Sequence, residues 1–184
     1  MQAPISAPLR RPLAIIGLGN PGRQYQYHRH SIGFRIVEAL AEKYHVTWNC
    51  KEGMDIAPLA GPLGKVLLIK SRTFMNDTGA IIPGILRRGI KPEDILVVHD
   101  ELELPVGSIK ARVGGSHRGH NGLKSIMARI GEGFMRLRFG IDRPENKDTV
   151  PEYVLSPFDE SQEFIEEKIN EAVKMLEELI NTPA

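Results

Sequence analysis

The chain of 184 residues contains a single cysteine, Cys50. An intrachain disulfide is therefore excluded, and so is a zinc site built on cysteines. A reducing, cytoplasmic compartment fits that scarcity. Long apolar runs are also missing: nothing approaches the roughly 20 residues that span a bilayer. Residues 1–12 are proline-rich with two arginines and no acid. They lack the apolar core of a secretory signal and are expected to form an extended arm ahead of one domain over residues 13–184. Net charge is scarce as well, only +1, which as an average argues against a nucleic-acid partner. There is no internal repeat and no long linker.

The average hides an asymmetry. Residues 1–147 carry 22 Lys/Arg against 13 Asp/Glu, whereas residues 148–184 carry 2 against 10. The densest basic stretch is 106–147, with 9 basic and 3 acidic residues. A basic body with an acidic tail suggests an anionic partner for the body. Its candidate contacts are Lys110, Arg112, Arg118, Lys124, Arg129, Arg136 and Arg138.

Apolar periodicity predicts an α/β fold: one domain with a mixed, mostly parallel central sheet flanked by helices. Buried strands are expected at Leu13–Gly17, Val66–Ile69 and Ile95–Val98, and more polar ones at Gly107–Val113 and Met135–Ile141. A hairpin between the third and fourth of these would make the sheet mixed. Helices are expected at 31–44, at 76–88 with Pro83 limiting it, at 121–130, and at about 159–180. Asp159 and Gln162 are spaced as a capping box for the last helix.

Four short segments can carry chemistry. Gly17-Leu-Gly19-Asn20-Pro-Gly22 has the spelling of a dinucleotide fingerprint. That motif, however, needs a helix opening on the glycine turn, and here a loop with two Tyr and two His intervenes. The acids at the expected distance, Glu38 and Glu42, fall inside a helix. A turn presenting Asn20 at the end of a strand fits better. His28-Arg29-His30 sits just before a helix. His99-Asp100 ends the most apolar strand, where a carboxylate can fix a histidine tautomer and raise its basicity. Gly114–Gly122 is a glycine-rich loop running into a helix, with Asn121 free to cap it or to touch a ligand. His117 and His120, with His28, His30 and Asp100, are also a conceivable metal set, although not at the H-E-x-x-H spacing. Ser31 and Ser116 lie outside any G-x-S-x-G elbow, which leaves a serine nucleophile a weak alternative.

In combination these motifs resemble bacterial-type peptidyl-tRNA hydrolase. They run in order as Gly-Leu-Gly-Asn20-Pro-Gly, Tyr25 followed by Arg29-His30, Thr73-Phe-Met-Asn76, His99-Asp100-Glu101-Leu, and Gly119-His-Asn-Gly-Leu-Lys-Ser125. The resemblance spans residues 13–180. It implies a cytoplasmic, cofactor-independent and metal-free monomer that hydrolyses the ester between a peptide and the 3′-terminal ribose of tRNA, freeing both. It further implies His30 as the catalytic base and Asp100 as its orienting acid. Asn20, Asn76 and Asn121, with His120 in the same loop, would position the substrate. Tyr25, Phe74 and Met75 would line the site for the terminal nucleotide and peptide, and Arg112 and Arg138 would hold the tRNA 5′-phosphate. The pattern departs from the family at His28, Ser31 and Arg118, the last replacing a common glycine. The same fold also resembles a chloroplast intron-splicing factor, an RNA-assembly subunit and not a hydrolase. The full set of site residues favours the enzyme.

The resemblance predicts chemistry that the residue types can perform. Water is a poor nucleophile at neutral pH, and a histidine base with a carboxylate behind it activates water efficiently. Asn amides can donate to the developing oxyanion. The acidic last helix should point away from the RNA path.

Overall fold

The structure is a computed structural model, described here for residues 7–183. β1 (Ala14–Gly17) is buried along its whole length. α1 (Ile32–Lys43) buries Ile32, Ile36, Val37, Leu40 and Ala41 as one stripe. β2 (Asn49–Lys51), β3 (Met54–Gly61) and β4 (Gly64–Ser71) then form an antiparallel meander. A 3-10 segment, Met75–Ile81, runs into the short α2 (Ile82–Leu86). β5 (Ile95–Glu101) and β6 (Ile109–Val113) follow, then α3 (Asn121–Ile130), β7 (Met135–Gly140), α4 (Val150–Val154) and α5 (Gln162–Ile180).

Among the described residues the strands make one seven-stranded sheet in the order β2-β3-β4-β1-β5-β7-β6. β4, β1, β5 and β7 are mutually parallel, and β3 and β6 run against them. The sheet is thus mixed and mostly parallel, as expected, but by a different route. The expected hairpin between residues 95–98 and 107–113 does not form, because β7 inserts between β5 and β6. Burial explains the order. β7 is apolar enough for an interior position, with Met135, Leu137 and Phe139 inaccessible, whereas half-exposed β6 suits an edge.

Side chains alternate across the sheet. Ile15, Leu68, Leu96, Val98, Leu137 and Phe139 pack under α1 and α5. Ala14, Ile16, Ile69, Val97 and Phe134 face the other way, under α2, α3 and the segment 75–81. Gly33 lets α1 dock directly on the strand ends: a Cβ there would lie 2.3 Å from the Val98 carbonyl and 2.5 Å from Leu18 N. This close approach fixes the height of the preceding loop above the sheet.

Several local expectations are corrected. The stretch expected as a helix from residue 76 is 3-10 up to Ile81, and Pro83 sits in the first turn of α2, where no backbone N–H is needed. α5 is capped by Ser161, which accepts from Phe164 N, and not by Asp159. Asp159 instead receives Arg29 at 3.0 Å. Of the expected arm, residues 1–6 lie outside the described residues. Residues 7–12 have no regular structure and are tied down by Arg11, which donates to Ile180 O at 3.1 Å and Gly64 O at 2.7 Å.

Candidate active site

The chain leaves β1 for β4 on one side and later enters β5 on the other, so the C-terminal ends of β1 and β5 form the switch point of the sheet, where α/β folds bind ligands. His30 lies in a 3-10 turn, Arg29–Ser31, between β1 and α1. Asp100 lies near the end of β5. Although 70 positions apart, they meet: His30 Nδ1 is 2.9 Å from Asp100 Oδ2 and 3.0 Å from Oδ1. Both are buried, at 8% and 4% exposure. The turn is anchored by the buried Arg29. Its guanidinium donates to Tyr153 O (3.2 Å), Ser156 Oγ (2.6 Å) and Asp159 (3.0 Å), and sits 3.9 Å over the Tyr153 ring.

His120 completes the cluster. Its Nε2 is 2.9 Å from Asp100 Oδ1, and its Nδ1 accepts from Leu123 N at 3.3 Å. A backbone N–H aimed at Nδ1 leaves that nitrogen unprotonated, so the proton sits on Nε2 and is donated to Asp100. His120 is therefore the cap of α3, which leaves Asn121 the other of its two expected roles, touching a ligand, and the His120 tautomer is fixed. The His30 and His120 rings lie 4.6 Å apart.

The electrostatics follow from this packing. Burial pushes the Asp100 carboxyl upward, but the adjoining His30 and His120 imidazoles outweigh it and hold the group well below the usual carboxylate range. Burial lowers the pKa of His120 in spite of Asp100. His99 is fully buried and pushed down to about 3 by burial first and His120 next. Its Nδ1 is 2.8 Å from the Asp100 carbonyl. A carboxylate between two imidazoles, with both ring protons directed at it, leaves Nε2 of His30 as the free basic atom.

His30, Asp100, His120, Asn121, Arg112 and Arg138 line one cavity of about 370 Å³. The other expected residues are placed differently. Asn20 lines a second cavity of about 450 Å³. Its backbone N–H donates to Ser31 Oγ (3.2 Å), and its Oδ1 accepts from Met75 N (2.8 Å). Ser31 therefore serves Asn20 and makes no side-chain cap for α1. With Oδ1 engaged, Nδ2 is the end of Asn20 left to donate. Met75 is buried, Asn76 beside it is exposed, and Phe74, 54% exposed, meets Tyr25 edge-on at 5.8 Å. Tyr25, Phe74, Met75 and Asn76 do not line the His30 cavity. Asn20 touches Met75 through Oδ1 and the His30 turn through Ser31.

The basic stretch divides likewise. Arg112, Arg118, Arg138, Arg143 and Lys147 all line the His30 cavity. Arg138 donates Nε to Glu101 at 3.0 Å, which leaves its outer nitrogens for other partners. Arg112 pairs in register with Arg136, not with Arg138, which faces Lys110. Arg136 is a correction to the surface expectation: it is 3% exposed and holds the glycine-rich loop through Ser116 O (2.9 Å) and Gly115 O. Burial and the nearby Arg112 bring its pKa down to about 10. The acidic α5 lines no part of the cavity. Its Glu166 and Glu177 are taken by Arg35 and Lys43.

Of the conceivable metal ligands, the structure brings together His30, Asp100 and His120, with ligand atoms within 4.8 Å of one another. The nitrogens involved already direct protons at the carboxylate, so a cation there would have to displace both hydrogen bonds. His28 and His117 stand outside that trio, and His117 Nδ1 accepts from Gly119 N. The glycine turn does not open a helix, since two 3-10 turns precede α1, and Glu38 pairs with Lys70 at 2.6 Å. Neither feature of a dinucleotide site is present. Sequence reasoning missed Glu103, Arg143 and Lys147 and the α4 wall of the cavity (Val150, Pro151, Val154), for which no motif is spelled.

Fold and site together define an α/β protein with a histidine–carboxylate centre at the sheet's switch point and a basic rim. The family model for peptidyl-tRNA hydrolase matches residues 14–183. Peptidyl-tRNA hydrolase of Rickettsia prowazekii is 44% identical over 153 residues, covering 82% of this chain and 83% of that one. The Neisseria meningitidis protein of the same name is 40% identical over 171 residues, covering 90% and 89%. The crystal structure of peptidyl-tRNA hydrolase from Acinetobacter baumannii superposes with a TM-score of 0.86 at 36% identity, covering 95% of this chain and 91% of that one. The chain belongs to the peptidyl-tRNA hydrolase family.

Proposed function

We propose that this chain hydrolyses the ester joining a peptide to the 3′-terminal ribose of tRNA, using water activated by His30. The observation that carries the mechanism is the double approach of the Asp100 carboxylate to His30 Nδ1, which assigns the proton to Nδ1 and the lone pair to Nε2. Water placed at Nε2 gives up a proton as its oxygen attacks the acyl carbon. Asp100 stabilises the imidazolium that forms. The oxyanion of the tetrahedral intermediate receives Asn amide donors, for which Asn20, Asn76 and Asn121 are the candidates. As the intermediate collapses, the imidazolium returns its proton to the departing ribose oxygen, so tRNA leaves as an alcohol and the peptide as an acid.

His120 acts through Asp100: its locked N–H holds one carboxylate oxygen. Tyr25, Phe74 and Met75 are assigned to the terminal nucleotide and peptide, and Arg112 and Arg138 to the 5′-phosphate. Recognition of an RNA stem by phosphates and not base edges suits a rim of arginines. No helix among the described residues is long and apolar enough to cross a membrane. Action as a cytoplasmic monomer, on one domain from residue 13 onward, is part of this proposal.

The experiment is release of labelled peptide from N-acyl-aminoacyl-tRNA. The wild type cleaves, and His30→Ala, with an unchanged melting curve, does not. Turnover of the variant at the wild-type rate removes the base from this scheme.

A further inference from the structure

We propose that Arg118 and Arg143, bridged by Glu103, form a second phosphate-binding locus on the cavity rim that takes a phosphodiester of the single-stranded 3′ end of the substrate. The inference rests on the peptidyl-tRNA reading and adds a contact separate from the Arg112 and Arg138 pair.

Three observations lead to it. First, Arg118 sits in a loop that winds through the left-handed region, with Gly114, Gly115 and Gly119 all at positive φ, and Arg118 itself holds φ 45. A non-glycine residue tolerates that region only at a cost, and here the loop carries a long cation there. Second, Arg143 comes from the segment after β7, a different wall of the same cavity. The two guanidinium groups nevertheless converge on one carboxylate: Glu103 Oε2 lies 4.0 Å from Arg118, and Oε1 pairs with Arg143. Glu103 thereby marks a point that one anionic group with two oxygens reaches from both arginines, which is the demand of a phosphodiester. Third, the existing pairs are easily exchanged. Arg118 is 57% exposed, Arg143 36% and Glu103 37%, and ion pairs so open to water hold weakly. The Glu101–Arg138 pair differs, at 13% and 15%. Lys147 lines the same cavity and adds a third cation.

The locus lines the same cavity as His30 and Asp100, so a strand whose terminal ribose sits at His30 can bring a neighbouring phosphodiester to this rim. A single-stranded end presents those phosphates without duplex geometry, so point contacts by flexible arginines suit it.

The test compares two small substrates: an N-acyl-aminoacyl trinucleotide ending in adenosine, which has phosphodiesters, and N-acyl-aminoacyl-adenosine, which has none. The variant is Arg118→Gly with Arg143→Gln; glycine accepts the φ of position 118, and Gln keeps polarity at 143. The expected result is a KM for the trinucleotide raised about tenfold, as for the loss of one or two charge-assisted contacts, with kcat unchanged. KM for the adenosine ester stays the same. The dependence of log KM on log salt falls by about 0.7 per cation removed. Glu103→Gln, which removes the competing carboxylate, should lower KM for the trinucleotide. Equal KM changes for the two substrates, or none, overturn the locus while leaving the hydrolase reading intact. Failure of the wild type to cleave either ester overturns both.

Discussion

Replacing Asp100 by Asn tests the catalytic geometry more sharply than deleting it. The amide is isosteric, so the question becomes which of its ends faces which imidazole. His120 presents a proton on Nε2, because Leu123 N–H occupies its Nδ1, and that proton needs the amide oxygen at the position of Oδ1, 2.9 Å away. The NH2 group is then forced into the position of Oδ2, 2.9 Å from His30 Nδ1. Two donors cannot face each other there. His30 must move its proton to Nε2, and the nitrogen that should accept from water becomes a donor. In a Ser-His-Asp triad the same wrong-tautomer change lowers kcat about 10,000-fold, about 5.4 kcal/mol of barrier. His30 Nδ1 also lies 3.0 Å from Oδ1, a partial escape, so a loss of about 1,000- to 10,000-fold is expected here. Steady-state release of peptide from N-acyl-aminoacyl-tRNA measures it, with circular dichroism as the control for folding. The lock makes a further demand: in Asp100→Asn with His120→Ala the amide is free to flip, so the double variant should lose no more than Asp100→Asn alone. A folded Asp100→Asn variant within tenfold of wild type, or fully additive losses in the double variant, would refute the tautomer argument.

Three other outcomes are expected. Arg138→Ala should raise KM for full-length substrate more than for an acyl-adenosine fragment; equal effects would remove Arg138 from phosphate binding. Stability in acid should depend on His99. Its pKa is about 3 when folded, against an ordinary 6.5, so between those values the unfolded chain binds the extra proton. The stabilisation is complete above pH 6.5 and drains as pH falls toward 3, by at most about 1.4 kcal/mol per unit. Urea unfolding of His99→Asn should accordingly show a flatter pH dependence from 6 to 4, and an unchanged slope would count against it. Activity should survive dialysis against a chelator; its loss, restored by a divalent ion, would turn His30, Asp100 and His120 into ligands.

The strands and helices that carry strong periodicity were legible from the order of apolar residues alone: β1, β4, β5, α1, α3 and α5 fall within a few residues of expectation. β2 and β3 were not. β3 contains Pro58 between Ala57 and Leu59, and a proline inside a run demotes it as a strand. The pairing explains its tolerance: β2 covers only Met54–Ile56, so from Ala57 onward β3 is itself an edge, where a missing N–H costs little. The turn before it, with Glu52 and Gly53 both at positive φ, is the local cue that identifies the hairpin. Arg136 misled for a related reason. Strand alternation puts it beside Arg138 on one face, but alternation does not say that the glycine-rich loop folds down over it and buries its guanidinium.

The near-zero net charge illustrates the division. The sequence by itself determined the residue types, their order, and the segregation of acid into the last helix, because periodicity and local composition are one-dimensional quantities. Those properties were enough to indicate the family and its chemistry. Only the tertiary structure decided that His30 and Asp100 meet, since the contact depends on β1 and β5 lying side by side, a pairing that no local pattern encodes. The structure also decided that His120 and not Asn121 caps α3, that Asn20 accepts from Met75 N, and that Arg118 and Arg143 meet at Glu103. Apart from that local cap, each joins segments distant in the chain, and their distances are set by how the core packs, not by the residues at the site.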